Sequence, residues 1–273
     1  MIEELVNRIK SIPPLPKTFF EIEKICKSPD GTIAQLSKVV ERDPMLIANL
    51  LKIVNSSLYG LGKEINSVSQ AVSVLGMKEV YSLAAVISIK KLLKVDMEPY
   101  GIEPEKFALL SNMQGSLVKN WLKRFQSKKA DTLFMPALLQ ETGKIIIADK
   151  IIRNNEVFQF KSEIQNTINV AQVERIYVDT TSAMVTAKIF EHWGFEDFIV
   201  NIIKYADNYE DAPQEYKEYS MYLKVIKTAV AINSPLSERS IALAANILKN
   251  ESMDVDMFLE AIEKTKEDYG DEL

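Results

Sequence analysis

One histidine, His192, and one cysteine, Cys26, are all the imidazole and thiol that 273 residues provide. Transition-metal centres draw on imidazole, thiolate and carboxylate donors, so a site built on several histidines is impossible in this chain. The same shortage removes a Ser-His-Asp or Cys-His relay unless His192 takes part. His192 lies in the string EHWGF, in the last helical turn before Gly194, where a protonated imidazole interacts well with the helix dipole. Cys26 sits in an apolar-periodic segment and reads as a small buried hydrophobe. No CxxC or zinc spacing accompanies it, and a single cysteine forms no internal disulfide. The Gly143–Lys144 pair is not a phosphate loop, because the G-x-x-x-x-G-K-[ST] context is missing.

The elements that position these residues are helices. Hydrophobic residues make up 47% and charged residues 26% of the chain, with nine glycines and ten prolines. That is the ordinary globular range and argues against a loop-rich all-β fold. A net charge of −5 withholds the broad electropositive face that nucleic-acid binding normally uses. The N-terminus, MIEELVNRIK, lacks the features of a signal peptide, and no run approaches a membrane span. The expectation is a cytoplasmic chain that binds neither membrane nor nucleic acid.

Apolar spacing predicts an opening helix from Met1 to Ile9, stopped by Pro13, Pro14 and Pro16. A second helix runs from Pro16 to Ser28, and a third from Ile33 to Arg42 with Thr32 as N-cap. Asp43–Pro44 starts a fourth: Asp43 caps the free amides and Pro44 suits the first helical position. Asn55 stands where that helix ends and tolerates a left-handed conformation. Ser67 and Gln70 read as a capping box, Gly76 as the following C-terminal glycine, and Lys78–Leu93 as a central, nearly all-apolar helix. Its last turn holds Lys90, Lys91 and Lys94. Asp96–Pro104 reads as a linker and hinge. Beyond it, helices are expected near Glu105–Phe125, Asp131–Ile151, Asn155–Ile168, Thr181–Trp193, Phe195–Asn208, Glu215–Asn233, Glu238–Leu248 and Asp254–Lys264. No segment alternates strictly, so no sheet is expected. The reading is an all-α multi-helix bundle in two closely packed lobes, 1–98 and 99–273.

The stretch from Ile12 to Gly76 carries IPPLP, Asp43–Pro44, Asn55–Ser56 and Q-A-x-x-x-L-G from Gln70 to Gly76. In that order and spacing these signatures resemble the HDOD family, helical bacterial signalling modules related to metal-dependent HD phosphohydrolases. The C-terminal lobe is similar to a degenerate HD domain, with motifs traceable to about Tyr205. Where a catalytic HD protein has L-L-H-D-x-G-K, with a metal-ligating His–Asp pair, this chain has Gln140–Glu141 in LLQETGK. Where the pattern has Asp–His, Thr180 follows Asp179, and no histidine stands near Leu110–Ser111 or Tyr205.

The resemblance implies a non-enzymatic regulator acting through protein partners, with no catalytic residue, metal or cofactor. Its alternative is a phosphohydrolase of nucleotides or cyclic dinucleotides, or a nucleotide sensor without turnover. Gln140, Glu141 and Thr180 form the degenerate HD site, either a small-ligand pocket or a former cavity with its hydrogen bonds satisfied. No arginines cluster around these positions, although paired phosphates usually call for them. Asp43, Pro44, Asn55, Ser56, Gln70 and Gly76 identify the family, and each also has a capping or turn explanation. Leu58, Tyr59, Leu61 and Tyr100, at expected loops, are the candidates for a partner interface. The basic run Lys123, Arg124, Lys128 and Lys129 reads as a solvated helix end.

Overall fold

The computed structural model describes residues 2–56, 59, 61–93, 96–123, 125–167 and 169–270. Every regular element among these described residues is helical: sixteen α-helices and two 3-10 turns. Contacts divide the chain into two compact units, Pro13–Leu93 and Met1–Ile12 with Lys94–Leu273. This differs from a division at 98/99 mainly in the fate of α1 (Ile2–Lys10), which packs on the helices beginning at Gly143 and Ser182. Leu5, Ile9 and Ile12 are buried, Arg8 Nε lies 3.1 Å from Asp149 Oδ2, and Lys150 pairs with Glu4. The prolines after Ile12 end the helix and begin the other unit.

The unit Pro13–Leu93 holds α2 (Lys17–Lys27), α3 (Ile33–Val40), α4 (Pro44–Val54), α5 (Val68–Leu75) and α6 (Met77–Leu92). Thr32 caps α3 through a complete capping box with Gln35. Asp43 Oδ1 accepts from the amides of Met45 (3.0 Å) and Leu46 (3.1 Å), with Pro44 at the first helical position of α4. Helix α6 is buried from Val80 to Ile89 along most of its faces, as its nearly all-apolar sequence requires.

The other unit continues through a 3-10 turn (Glu98–Tyr100) into α7 (Pro104–Leu122), α8 (Ser127–Leu139), α9 (Gly143–Arg153), α10 (Val157–Asn166) and α11 (Val170–Val178). It ends with α12 (Ser182–His192), α13 (Asp197–Lys204), a 3-10 turn (Tyr209–Asp211), α14 (Gln214–Ala229), α15 (Glu238–Asn250) and α16 (Asp256–Tyr269). Three sequence expectations change here. The helix expected over Asp131–Ile151 is two helices, broken at 140–142. Helix α11 was not expected. The Asp96–Pro104 segment is no loose linker: Met97, Pro99 and Tyr100 are buried and the turn packs on α9 and α10. All three differences build the site described next. Among the described residues no single helix is long and apolar enough to cross a membrane.

Candidate functional site

The break between α8 and α9 is held by side chain and backbone together. Thr142 Oγ1 donates to Leu139 O at 2.6 Å, turning the chain, and the Gly143 amide donates to Thr186 Oγ1 on α12 at 2.8 Å. The Thr186 hydroxyl lies within reach of two acceptors, Gln140 O (3.0 Å) and Ser182 O (2.8 Å). Residue 143 must be glycine for α9 and α12 to approach this closely. A Cβ there would fall 2.3 Å from Ser182 O and 2.8 Å from Thr186 N.

The turn aims Lys144 into the interior, where its side chain is 1% exposed. Its ammonium lies 2.6 Å from Glu174 Oε1, 3.2 Å from Glu141 Oε2 and 3.0 Å from Ser182 Oγ, and 5.1 Å above the Tyr100 ring. Glu174, fully buried on α11, is saturated from other sides as well. The Tyr100 hydroxyl donates to Oε1 at 2.9 Å and the Ser182 amide to Oε2 at 2.6 Å. Burial and then the Glu174 charge push the Tyr100 phenol well above its ordinary pKa, so it remains a donor. A buried ion pair is tolerated only when its remaining donors and acceptors are met; here most are.

Gln140 is buried beside this cluster but points elsewhere. Its Nε2 donates to Gln114 Oε1 on α7 at 2.8 Å, and Gln114 Nε2 reaches Val230 O at 3.4 Å. Thr180 is half-buried in the turn between α11 and α12; its neighbours Thr181, which caps α12, and Ser182 make the polar contacts. Of the three residues expected to form the degenerate site, only Glu141 joins the Lys144 cluster. Gln114, Lys144, Glu174, Ser182 and Tyr100 were not expected there.

A second buried pair adjoins the first. Lys227 Nζ on α14 lies 2.7 Å from Asp207 Oδ1. Burial raises the Asp207 pKa, but the charges of Lys227 and Lys224 outweigh it and hold the carboxyl below its ordinary range. Burial opposes the charge on Lys227, yet Asp207 and then Glu141 and Glu174 raise its pKa above the usual lysine value.

Elsewhere the signature residues serve local structure. Asn55 Nδ2 donates to Leu51 O and Ile65 O, each at 2.9 Å, and its Oδ1 accepts from Ile65 N at 2.8 Å. Its backbone is not left-handed (φ −92°), so the side chain, not the dihedral, explains the residue. Ser56 Oγ donates to Ile53 O at 2.6 Å. The Ser67–Gln70 box is half formed: Ser67 Oγ accepts from Gln70 N, but Gln70 Oε1 accepts from Asn66 N. Gly76 links α5 and α6 at φ +83°, a conformation that suits glycine. Cys26 is half-buried, with burial pushing its thiol pKa up to about 11. His192 Nε2 lies 3.1 Å from Ile12 O, a contact in which nitrogen donates. Tyr100 is buried, which removes it from the interface candidates; Tyr59 and Leu61 are half-buried, and Leu58 lies outside the described residues. Lys123 and Lys129 pair with Asp131 and Glu218, while Arg124 and Lys94 lie outside the described residues.

The unit is all-helical, with a buried polar centre where α8 meets α9. The chain belongs to the HDOD family, whose family model, described as HDOD domain, matches residues 12–209. It is 26% identical over 222 residues to an uncharacterized protein of Treponema pallidum (strain Nichols), covering 78% of this chain and 41% of that protein. A solved Shewanella amazonensis SB2B protein, provisionally named a phosphohydrolase, matches with a TM-score of 0.74 at 19% identity, over 97% of this chain and 94% of that one. A Marinobacter aquaeolei VT8 protein, provisionally named a signal transduction protein, matches at 0.74 and 21% identity, over 97% of this chain and 62% of that one. At these identities the structural matches establish the fold alone.

With one histidine in the chain, a multi-histidine metal site of the kind the resemblance to HD phosphohydrolases would call for cannot form. Gln140 Nε2 donates to Gln114 while its Oε1, a poor ligand for a transition metal, has no hydrogen-bond partner, and the Glu141 and Glu174 carboxylates flank an ammonium that would repel a cation. Among the described residues no group of three or more His, Cys, Asp or Glu side chains is arranged to hold a metal ion.

Proposed function

We propose that this chain is a non-enzymatic regulatory protein of a bacterial cytoplasm that acts by binding protein partners. The observation that carries the reading is Gln140–Glu141 at the α8–α9 break, where a metal-ligating His–Asp pair would stand, with Glu141 turned onto the Lys144 ammonium. An HD-type hydrolase depends on a cation that polarises phosphate oxygens and activates water. Here the one imidazole of the chain, His192, is turned to Ile12 O, and the buried carboxylates face a lysine ammonium, which cannot lower the pKa of a water as a metal does. The fold is thereby kept without the ligands that hydrolytic machinery needs. Membership in the HDOD family and the signal-transduction name of the Marinobacter relative are consistent with this reading.

Elemental analysis of purified protein, followed by phosphodiesterase and phosphatase assays with added manganese, tests it. Substoichiometric metal and no turnover above buffer are expected. Stoichiometric metal together with turnover would establish a phosphohydrolase instead. Affinity capture from the native cell, with the bound protein then reconstituted from purified components, tests the partner half of the reading.

A further inference from the structure

Beside the Lys144 cluster lies a cavity of about 70 Å³. That is several times the space one water needs and suits a single tetrahedral oxyanion. Four cationic side chains, Lys144, Lys224, Lys227 and Arg239, line it together with the carboxylates Glu141 and Asp207. Even with Glu174 counted behind Lys144, cations outnumber carboxylates four to three, in a chain whose net charge is −5.

Two of the cations are uncommitted. Lys144 and Lys227 have their carboxylates, but Lys224 and Arg239 have no ion pair among the described residues. Lys224 is half-buried, and burial depresses its pKa despite the Asp207 charge. A lysine in that position gains from an anion. The first-turn residues Val170 and Ala171 of α11 also line the cavity, and no acidic residue occupies that turn. Helix starts present orphan amides and a positive dipole end, both favourable to anions.

Two buried acceptors complete the wall. Asp207 Oδ2 has no hydrogen-bond partner, on a side chain only 6% exposed, and Glu141 Oε2, on a side chain 9% exposed, has only the Lys144 ammonium at 3.2 Å. A fully deprotonated anion would be repelled by them. An anion that retains one O–H would be held by it, and a buried acceptor left without a donor costs about 1–3 kcal/mol.

We propose that this cavity binds a hydrogen-phosphate group, free or as the head of a small phosphate monoester, through Lys224, Arg239 and the start of α11. Asp207 and Glu141 accept from its remaining hydroxyl. The inference is independent of whether the chain has protein partners.

Isothermal titration calorimetry of the full chain in chloride buffer, at about pH 6 where phosphate groups retain a proton, tests it. Inorganic phosphate and glycerol phosphate are titrated alongside sulfate, which has the same shape and no proton. Saturable phosphate binding at one site is expected, with sulfate at least tenfold weaker. Tighter binding of glycerol phosphate than of inorganic phosphate identifies a monoester as the ligand; the reverse order identifies the free ion. K224Q/R239Q should weaken phosphate at least tenfold while the unliganded protein keeps its native circular dichroism spectrum and a cooperative melt, since neither residue has an ion pair to lose. E141Q, which can turn a donor toward the cavity, should narrow the preference over sulfate. Absent phosphate binding, equal binding of sulfate, or full phosphate affinity in K224Q/R239Q each overturns the inference. Turnover with intact phosphate binding would overturn the non-enzymatic reading alone.

Discussion

The Cβ that alanine would add at Gly143 falls 2.3 Å from the carbonyl oxygen of Ser182, a distance no relaxed structure accepts. Backbone, not a flexible side chain, lies in the way, so α9 and α12 must separate. G143A is therefore expected to destabilise the chain by at least about 1–3 kcal/mol, the usual cost of overpacking. Urea unfolding monitored by circular dichroism measures it. Unchanged stability would show that the two helices do not meet through this glycine.

Lys144 and Glu174 join α9 to α11 at 2.6 Å, both almost wholly buried. K144M removes the cation and strands two carboxylates, and breaking a buried pair from one side costs about 3–5 kcal/mol. E174Q should cost less, because Glu141 remains 3.2 Å from the ammonium and the one amide oxygen still accepts from Tyr100 or from the Ser182 amide, though not from both. The double variant K144M/E174Q should be milder than the sum of the two, since each change removes the other's unpaired charge. Strict additivity in a double-mutant cycle would mean the two residues do not interact.

The Asp207–Lys227 pair predicts a pH window. Asp207 has its pKa depressed in the folded state, so its contribution is complete above the ordinary value of 3.8 and is lost as pH falls through the lower folded value. Lys227 has its pKa raised, so its contribution is complete below the ordinary 10.5 and is lost as pH rises through the higher folded value. The stability gap between the native chain and D207N should be flat from about pH 5 to about pH 9 and shrink toward strong acid. Denaturant midpoints across a pH series check this. A gap that persists undiminished at the acid end would place the benefit of Asp207 outside its charge.

Much of the fold was legible in the sequence because its signals are local. Thr32, Asp43 and Pro44 start helices by contacts within one turn, and α6 announces its central place by being apolar on most sides. The site was legible only at Glu141, because the rest of it depends on distant partners. Leu138 and Leu139 before the break and Ile145 to Ile147 after it keep a helical period, so nothing in the pattern marks the turn except Gly143. Helix α11 hides in the same way: its buried face includes Glu174, and a charge reads as solvent-facing until its lysine is seen. Lys224 and Arg239 lie some 80 to 100 residues beyond Glu141, so no sequence window gathers the cations that line the cavity. Tyr100, flanked by Pro99 and Gly101, reads as an exposed loop aromatic, yet its hydroxyl has a buried carboxylate to meet.

Asn55 separates a capping role from a clamping one. Its amide bridges the end of α4 to Ile65 ten residues on, donating to Leu51 O and Ile65 O and accepting from Ile65 N. If the residue only ended the helix, N55G or N55D would serve nearly as well. The hydrogen bonds predict otherwise. N55A loses all three and should cost about 1–3 kcal/mol, with faster amide exchange at Ile65. N55D keeps the acceptor for Ile65 N but turns a second oxygen toward two carbonyls, so it should be at least as damaging as alanine near neutral pH. It should recover partly as acid protonates the carboxyl and restores one donor. Native-state hydrogen exchange at Ile65 reads the clamp directly: protection in N55D equal to that of the native chain would leave Asn55 as a helix terminator and nothing more.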